Sequence, residues 1–267
     1  MKKKILISVL AIIMVVSCVA CFAACQKKDS KTDFETISEK GYFVCGITLY
    51  EPMNYANDDG EMTGFDTEFA QAVAAKMGLK AKFQVIAWDD KFIELNGKSI
   101  DCIWNGFTVN EERKGQVDFS KSYLNNTQCV VVKASNLATL NTKDALQGKK
   151  AAAEAGSAGE SAAKDLTDAA KVTPSTAQTN ALTEVKSGQV DFAVIDVIMA
   201  NSMVGKGDYS DLAIATGIEL EAEEYAIGFR KGSDMTEKVN AVIDQLIADG
   251  TLQTLAEKYG LANQLVK

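Results

Sequence analysis

The sequence contains no histidine, and this absence removes several kinds of chemistry at once. Histidine is the usual general base of Ser-His-Asp and Cys-His active sites and the commonest zinc ligand in proteins. The chain therefore cannot build either kind of active site, or a histidine zinc site. Its hydrophobic content of 47% is that of an ordinary globular protein, which provides enough apolar side chains for a packed core.

Positive charge is also scarce. The chain has 28 Lys and Arg residues against 36 Asp and Glu residues, which gives a formal net charge of −8. Lysines 2, 3 and 4 precede any acidic residue, so loss of an N-terminal leader would make the remaining chain more acidic. Because the phosphates of nucleic acids repel an acidic protein, we predict no nucleic-acid partner.

Arginine is rare, because only Arg113 and Arg230 are arginines. Arg113 follows the apolar run from Ile100 to Trp104 and a turn at Gly106. That run is too short for a helix and is typical of a buried strand, whose carboxyl end faces the ligand crevice of an open α/β sheet. A planar guanidinium there suits bidentate capture of a carboxylate, and the alternative is an ordinary surface arginine.

The first 24 residues have the pattern of an export signal, with three lysines followed by an apolar run and two alanines before Cys25. This ending resembles a lipobox, in which the cysteine is lipidated, so we predict a lipoprotein signal peptide over residues 1–24 and lipidation of Cys25. Lipidation of Cys18 or Cys21, and an uncleaved membrane helix, are alternatives. All of these place the protein on the outer, extracytoplasmic face of the cell membrane, with residues 25–33 as a flexible tether.

Beyond the leader the chain has three cysteines, Cys45, Cys102 and Cys129. Each lies in a short apolar run typical of a buried strand, and their spacing matches no metal site. Buried thiols behave as small hydrophobic side chains, so we predict three free thiols rather than a disulfide. We predict no metal ion and no other cofactor.

Strand patterns alternate with helix patterns in the first half of the chain. Tyr42–Ile47 and Lys82–Ala87 are predicted strands, and Gly64–Met77 between them is a predicted amphipathic helix. Asp89 is the predicted cap of the next helix. This alternation predicts an α/β fold built on parallel strands.

The second half repeats the plan of the first. Val185–Ile195 reproduces the order of Leu95–Asn105, with a helix end, a glycine turn, an Ile or Val, an aspartate and a buried strand. The first copy ends at Gly106 and the second at Asp196, so each of two sheets presents a strand end to a ligand held between them. Residues 155–159 form a small-residue turn that begins a helix, whose free N–H groups suit an anion.

A further strand from Glu224 to Arg230 and two helices, 235–249 and 251–259, follow the second unit. This isolated group predicts that the chain returns to the first lobe, and two crossings make a hinge. The predicted domains are lobe 1, formed by residues 34–127 and 226–267, and lobe 2, formed by residues 128–225.

Seven short motifs follow one another in this order: Tyr50-x-Pro52; Asp59-Gly60-x-x-Thr63-Gly64-Phe65-Asp66; Gly106-x-Thr108-x-x-x-Glu112-Arg113; Val117-Asp118-Phe119-Ser120 with Tyr123; Ala155-Gly156-Ser157; Gly188-x-Val190-Asp191 with Asp196; and Tyr225-Ala226-Ile227 with Arg230-Lys231-Gly232. With these motifs the chain resembles the polar amino-acid family of solute-binding proteins that serve ABC importers, which is family 3 of the bacterial extracellular solute-binding proteins. The resemblance implies a two-lobed, periplasmic-binding-protein-like (type II) fold. Two Rossmann-like lobes would be joined by a two-strand hinge, with a ligand cleft between them.

The resemblance also implies a site for a free amino acid. Arg113 and Thr108 would hold the α-carboxylate, helped by the Gly106 backbone and by Ser157 from the other lobe. Asp196 would bind the α-ammonium group. Because both charged side chains are expected on a solvent-filled open cleft in the ligand-free state, we expect their removal to leave the stability of the ligand-free fold almost unchanged.

Two positions depart from the family pattern. Met53 replaces an aromatic residue, and Glu154 stands where a neutral residue, often glutamine, is usual. If Glu154 faces the cleft, it favours a cationic or hydroxyl-rich ligand side chain; if it faces a helix, it carries no such information. Tyr50 and Trp88 would flank the ligand side chain. The predicted ligand-binding residues are Arg113, Asp196, Thr108, Gly106, Ser157, Trp88, Tyr50, Phe107, Ala158 and Glu154.

The predicted function is a monomeric, lipid-anchored receptor that closes over a free amino acid and delivers it to the permease of an ABC transporter. An enzyme is the first alternative, because some relatives on this fold are dehydratases that use a buried acid. Glu154 is the unusual cleft acid here, but it has no histidine or metal cluster beside it. The second alternative is a sensor domain fused to signalling modules, and the end of the chain at Lys267 counts against it.

Overall fold

The computed structural model describes residues 31–267. The predicted signal peptide and the candidate lipidation sites Cys18, Cys21 and Cys25 lie outside the described residues. Among the helices of residues 31–267, none is long and apolar enough to span a membrane.

The secondary structure alternates between strands and helices along the chain. The strands are β1 (Tyr42–Ile47), β2 (Tyr55–Ala56), β3 (Met62–Thr63), β4 (Lys80–Val85), β5 (Cys102–Ile103), β6 (Val117–Phe119), β7 (Leu124–Lys133), β8 (Ala151–Glu154), β9 (Val172–Ser175), β10 (Phe192–Asp196), β11 (Leu212–Ile214), β12 (Ala222–Tyr225) and β13 (Gly228–Arg230). The helices are α1 (Asp33–Lys40), α2 (Phe65–Lys76), α3 (Lys91–Asn96), α4 (Glu111–Lys114), α5 (Lys143–Leu146), α6 (Ala158–Leu166), α7 (Gln178–Ser187), α8 (Val197–Met203), α9 (Met235–Ala248) and α10 (Thr251–Lys258).

Two mixed sheets form the framework of the two lobes. The first has the strand order β4-β1-β5-β13-β6, and the second has the order β11-β7-β10-β8-β9. In the first sheet β1 is parallel to β4 and β5, while β13 is antiparallel to β5 and β6. In the second, β8 is parallel to β9 and β10, while β7 is antiparallel to β10 and β11. The parallel strands were predicted from the sequence. The antiparallel strands are β7 and β13, and each of them enters its sheet after the chain has crossed from the other lobe.

Two strands connect the lobes. The long strand β7 begins beside the first lobe, and its second half pairs with β10 in the second sheet. Its first half pairs in antiparallel fashion with β12, which carries the returning chain. The predicted single strand Glu224–Arg230 is therefore wrong, because it is broken between β12 and β13. At the break, the Ala226 N–H donates to the Phe107 carbonyl oxygen (3.0 Å), and the chain leaves β7 to join β5 and β6.

The internal repeat has a structural cause in its two aspartates. Asp101 Oδ2 accepts the N–H of Val44 (2.8 Å), and Asp191 Oδ2 accepts the N–H of Lys150 (2.9 Å). In return, the N–H of each aspartate donates to the carbonyl oxygen of the same partner, at 2.8 and 2.9 Å. Each aspartate thus joins the start of its strand to a neighbouring chain segment, and this explains why the same residue type stands at the same point of both units.

Other predictions at this level have mixed outcomes. The buried strand after Ile100 is present, although only Cys102 and Ile103 pair as a strand. The prediction that Asp89 caps the next helix is wrong. Asp89 lies in a 3-10 turn over Trp88–Asp90, and α3 begins after Asp90 without a side-chain capping bond.

A buried acid supports the turn at Gly106. Asp66 Oδ2 accepts the Gly106 N–H (2.7 Å) and the Tyr123 hydroxyl (3.0 Å), and burial raises the pKa of Asp66 to about 7. Gly106 itself has φ of 55°, and a Cβ atom there would lie 2.1 Å from the Tyr50 hydroxyl oxygen. Only glycine fits this turn, because the backbone is left-handed and the space beside it is filled.

The three cysteines of the body are free and buried. Cys45 and Cys102 are neighbours on β1 and β5, with 3.7 Å between their sulfur atoms, while Cys129 lies on β7. We expect all three to react with a thiol reagent after denaturation without reductant, and none to react rapidly in the native protein. Thiol counting on a chain that starts at Gln26 checks this, and a count of one would show that a disulfide has formed.

The buried acid Asp66 predicts a pH-dependent stability. Its pKa is about 7 in the folded protein, compared with an ordinary value of 3.8. Between these values the folded protein binds a proton that the unfolded chain has lost, so the free energy of unfolding should fall as pH rises from about 4 to about 7. The Asp66 contribution is at most about 4 kcal/mol.

Urea unfolding of the ligand-free protein at pH 5 and pH 8 measures this effect. We expect Asp66→Asn to show a smaller decrease in the free energy of unfolding than the parent protein, because the amide does not titrate. An equal decrease in both proteins would show that Asp66 is not the titrating group.

Candidate functional site

A cavity lies between the two lobes, where the carboxyl ends of strands from both sheets meet. Gly106 follows β5 of the first sheet, while Glu154 and Asp196 are the last residues of β8 and β10 in the second. The side chains and backbone around the cavity belong to Trp88, Asn105, Gly106, Thr108, Arg113, Gln128, Glu154, Ser157, Ala158, Gln178 and Asp196. The cavity therefore contains one arginine from the first lobe and two acids from the second.

Arg113 forms the cationic wall. Asn110 caps α4 by accepting the Arg113 N–H, and this short helix directs the side chain inward. The guanidinium donates to the carbonyl oxygens of Thr108 (2.9 Å) and Gly156 (3.3 Å) and lies 4.8 Å from the ring centre of Phe107. Burial lowers the pKa of Arg113, but a guanidinium stays charged. These two bonds leave donors of the guanidinium for a ligand.

Asp196 forms the anionic wall and is held by three side-chain amides. Its Oδ1 accepts from the amide nitrogens of Asn126 (2.8 Å) and Gln128 (2.6 Å), and its Oδ2 accepts from Gln178. The Asp196 N–H donates back to Gln178 Oε1 at 2.9 Å. A carboxylate has about four acceptor positions, so three amide donors leave one for a ligand.

The amides that hold Asp196 also connect it to the hinge. Asn126 on β7 and Glu223 on β12 are direct partners in the strand register. Glu223 Oε1 accepts from the same amide nitrogens of Asn126 (2.5 Å) and Gln128 (2.8 Å). Burial, and then the charge of Asp196, raise the pKa of Glu223 to about 7. A shift of the two hinge strands would therefore move the donors of Asp196.

Glu154 is the second acid of the cavity and faces it. Its side chain is buried, with 2% of the residue exposed, and Oε1 has no hydrogen-bond partner among residues 31–267. Burial, and then the charge of Asp196, raise its pKa to about 8, while Lys91 and Arg113 act in the opposite direction. A buried oxygen without a donor is unusual in a folded protein and indicates a group that a ligand can satisfy.

The two lobes touch at the carbonyl oxygen of Gly156. It accepts from Lys91 Nζ (3.0 Å) as well as from Arg113, both in the first lobe. Lys91 Nζ also donates to the Trp88 carbonyl oxygen (3.1 Å), and burial lowers the pKa of Lys91 to about 8. These bonds hold the loop before α6 against the first lobe, so the structure is a closed form.

The helix start predicted to suit an anion is capped by its own residues. Ser157 Oγ accepts the Glu160 N–H (3.0 Å), and Glu160 accepts the Gly156 N–H (2.8 Å). The Ser157 hydroxyl still has a proton to donate into the cavity, which Ser157 and Ala158 both face.

The remaining predicted residues take different positions. Trp88 lies on the cavity wall, while Phe107 packs edge-to-face behind it with 5.8 Å between ring centres. Tyr50 is buried beside Gly106 and is not among the residues that face the cavity. The Gly106 N–H is engaged by Asp66, so in this conformation it is not available to a ligand carboxylate.

In this closed conformation Arg113 and Asp196 are buried, whereas the open, solvent-filled cleft was predicted for the ligand-free state. Arg113 is 5% exposed and Asp196 is 6% exposed. Replacing Asp196 would leave its amide donors without an acceptor, which destabilises a buried network. Binding measurements on variants here therefore need a parallel stability measurement.

Sequence reasoning missed several polar residues of the site, namely Asn105, Gln128, Gln178, Lys91, Asn126 and Glu223. The sequence of β7 did indicate two of these residues, because Asn126 and Gln128 stand two positions apart and therefore lie on one face of the strand. The position of Gln178 at the start of α7 carried no such signal, because its role depends on the approach of β10.

Comparison with known proteins gives consistent results. Residues 43–262 match the family described as Bacterial extracellular solute-binding proteins, family 3. The L-cystine-binding protein TcyJ of Escherichia coli K12 is 32% identical over 225 residues, which cover 84% of each chain. The arginine-binding extracellular protein ArtP of Bacillus subtilis is 29% identical over 252 residues, which cover 93% of this chain and 96% of ArtP.

A solved structure extends the comparison to three dimensions. An ABC uptake transporter substrate-binding protein from Streptococcus pneumoniae with bound histidine matches with a TM-score of 0.81 and 30% identity, covering 88% of this chain and 99% of that one. The two-lobed, periplasmic-binding-protein-like fold predicted from the sequence is thereby confirmed. The chain belongs to family 3 of the bacterial extracellular solute-binding proteins, a family with amino-acid-binding members.

Proposed function

We propose that this protein captures a free amino acid between its lobes and delivers it to the permease of an ABC transporter. The observation that carries the proposal is the presence of Arg113 and Asp196 on opposite walls of one cavity. A zwitterion needs one cation and one anion to bind its two charged ends, and both side chains keep donors or acceptors free after their protein contacts. The relatives described above bind cystine, arginine and histidine, which supports an amino acid as the ligand.

In this proposal the α-carboxylate binds to Arg113, with hydroxyl donors from Thr108 and Ser157. The α-ammonium group binds to the free acceptor position of Asp196. Trp88 covers the ligand side chain from the first lobe, and Phe107 supports both Trp88 and Arg113 from behind.

Closure follows from the contacts between the lobes. The ligand carboxylate neutralises Arg113 while the ammonium group neutralises Asp196, so a bound zwitterion attracts the two walls toward each other. The bonds from Lys91 and Arg113 to Gly156 then hold the closed form. We propose residues 34–127 with 226–267, and residues 128–225, as the two moving lobes.

The proposal further includes a lipid anchor at Cys25, an extracytoplasmic location, a monomeric state and the absence of catalysis. The leader pattern supports the anchor, and two acyl chains are enough for stable membrane attachment. The relatives described above are amino-acid-binding proteins, so a receptor is favoured over a dehydratase.

Removal of either charge should weaken amino-acid binding strongly. Loss of one partner of a buried charge pair costs about 2 to 5 kcal/mol, which is about 30-fold to several thousandfold in affinity. We expect losses of this size for Arg113→Ala and Asp196→Asn, measured by calorimetric titration with arginine, histidine and cystine. An analogue without the α-amino group should remain sensitive to Arg113→Ala but be nearly indifferent to Asp196→Asn.

Lys114→Ala is the matched control, because it removes an exposed cation from the same short helix as Arg113. It should bind like the parent. Thermal unfolding of each variant separates a loss of binding from a loss of fold. Parent-like binding by Asp196→Asn would show that the ammonium group binds elsewhere.

Anchoring should depend on Cys25. In cells that produce the Cys25→Ser variant, we expect the protein in the soluble extracytoplasmic or medium fraction, or retained as an uncleaved precursor, instead of as a lipidated membrane protein. Fractionation with metabolic labelling by a fatty-acid analogue measures both properties. Full lipidation of the variant would show that the lipid is attached to Cys18 or Cys21 instead of Cys25.

A further inference from the structure

The charges in and behind the cavity do not balance for a simple zwitterion. Three carboxylates meet there, from Glu154, Asp196 and Glu223, while the cations are Arg113 and Lys91. Both cations donate to backbone carbonyl oxygens rather than to any of these acids. If all three acids were ionised, a ligand with equal positive and negative charge would leave one carboxylate of this group in excess, and a proton on Glu154 removes that excess in the ligand-free form.

The three carboxylates differ in how they are satisfied. Asp196 accepts from three amides, and Glu223 Oε1 accepts from two of the same amides. Glu154 Oε1, in contrast, has no donor within the described chain, although the residue is 98% buried and faces the cavity. Glu154 is therefore the acid whose hydrogen-bonding capacity is left over for something that enters the cavity.

We infer that the ligand carries a second protonated nitrogen, besides its α-ammonium group, and that Glu154 binds this nitrogen. The inference rests on the proposed function and names the class of amino acid. A donor from the ligand would satisfy Glu154 Oε1, and its positive charge would stabilise the ionised form of this carboxylate. A glutamine at this position would accept the same hydrogen bond but would carry no charge. The negative charge of ionised Glu154 is therefore what favours a cationic group of the ligand.

Two kinds of amino acid supply this chemistry. One has a basic side chain, as in arginine or lysine, and the other has a second amino-acid head group, as in cystine. Once Glu154 is ionised, the carboxylates outnumber the cations, and this favours the basic side chain, because a second head group would bring a further carboxylate that needs its own cation. Lys91, the other cation, is occupied by the carbonyl oxygens of Trp88 and Gly156.

The titration of Glu154 provides an independent signal. Burial holds its pKa at about 8, so the ligand-free closed form carries a proton on this group near pH 7. A bound cation favours the ionised carboxylate, so binding should release a proton. Besides burial, the pKa of Glu154 is raised by the charge of Asp196 at the end of β10, and it is lowered by the charges of Lys91 on α3 and Arg113 on α4 and by a hydrogen bond with Thr48 after β1. Since Lys91 and Glu223 also titrate near neutral pH, the release must be assigned by comparison with a Glu154 variant.

The test uses pairs of ligands in which one member carries a second protonated nitrogen and the other lacks it. Arginine is compared with citrulline, lysine with norleucine, and cystine with S-methylcysteine, by calorimetric titration of the parent protein and of Glu154→Gln. In the parent we expect the member that carries the second protonated nitrogen, in at least one pair, to bind about 30-fold or more tightly than the member that lacks it. In Glu154→Gln this preference should fall at least tenfold, while neutral amino acids bind as well as before. Preference within the arginine or lysine pair identifies a basic side chain, and preference for cystine alone identifies a second head group.

Titrations in two buffers of different ionisation enthalpy measure proton release. Near pH 7 the parent should release a fraction of a proton with the preferred cationic ligand, and Glu154→Gln should release less. Glu111→Gln, at an exposed acid on α4, is the control and should behave like the parent in both measurements.

The outcomes separate this inference from the proposed function. If neutral amino acids bind as tightly as their cationic partners and still require Arg113, the receptor function stands and the role of Glu154 is wrong. An unchanged preference in Glu154→Gln has the same meaning. If no amino acid binds, both proposals fail together.

Discussion

The buried carboxylate of Asp196 needs hydrogen bonds, and the second lobe and the hinge are arranged to provide them. A charge removed from water is costly unless it is hydrogen-bonded. Here the donors are the neutral amides of Asn126, Gln128 and Gln178, so the carboxylate is satisfied without being neutralised. A lysine or arginine partner would have cancelled its charge. The site thus keeps the Asp196 carboxylate free of an ionic partner among residues 31–267 while it remains folded and closed.

Arg113, the cationic wall of the cavity, is likewise held by neutral groups rather than by a group of opposite charge. Arg113 is held by the carbonyl oxygens of Thr108 and Gly156 and by the face of Phe107, all of which are neutral. The turn beneath it is held by Asp66, whose burial raises its pKa and so reduces the negative charge that it brings near the site. Both walls therefore present charges that are oriented by dipoles and that have no ionic partner within residues 31–267.

The hinge and the site share side chains. Asn126 and Glu223 face each other across β7 and β12, and Asn126 also donates to Asp196. On the other side, the Val109 N–H donates to the Glu224 carbonyl oxygen (2.9 Å), which ties the segment between Gly106 and Arg113 to the returning strand. Movement of the hinge strands and the geometry of both walls are consequently coupled through a few hydrogen bonds. This gives a physical route from ligand binding to lobe closure.

The sequence alone determined much of this organisation. Hydrophobic periodicity and glycine turns located most strands and helices, and the repeated Asp101 and Asp191 units indicated two sheets of one design. The same reasoning placed Gly106 and Asp196 at strand ends, because local patterns report where a strand stops. It merged β12 and β13, since a change of strand partner within seven residues has no local signature.

Tertiary structure alone decided which polar groups satisfy one another. Three hydrogen bonds show this, because each joins two different elements of the fold. They run from Gln178 to Asp196, from the Gly106 N–H to Asp66, and from Lys91 to the Gly156 carbonyl oxygen. The orientation of Glu154 was also open in the sequence, because the last residue of a strand can face either a helix or the cleft. Its direction is set by how β8 packs between β9 and β10, and this packing is a property of the assembled sheet rather than of any local segment.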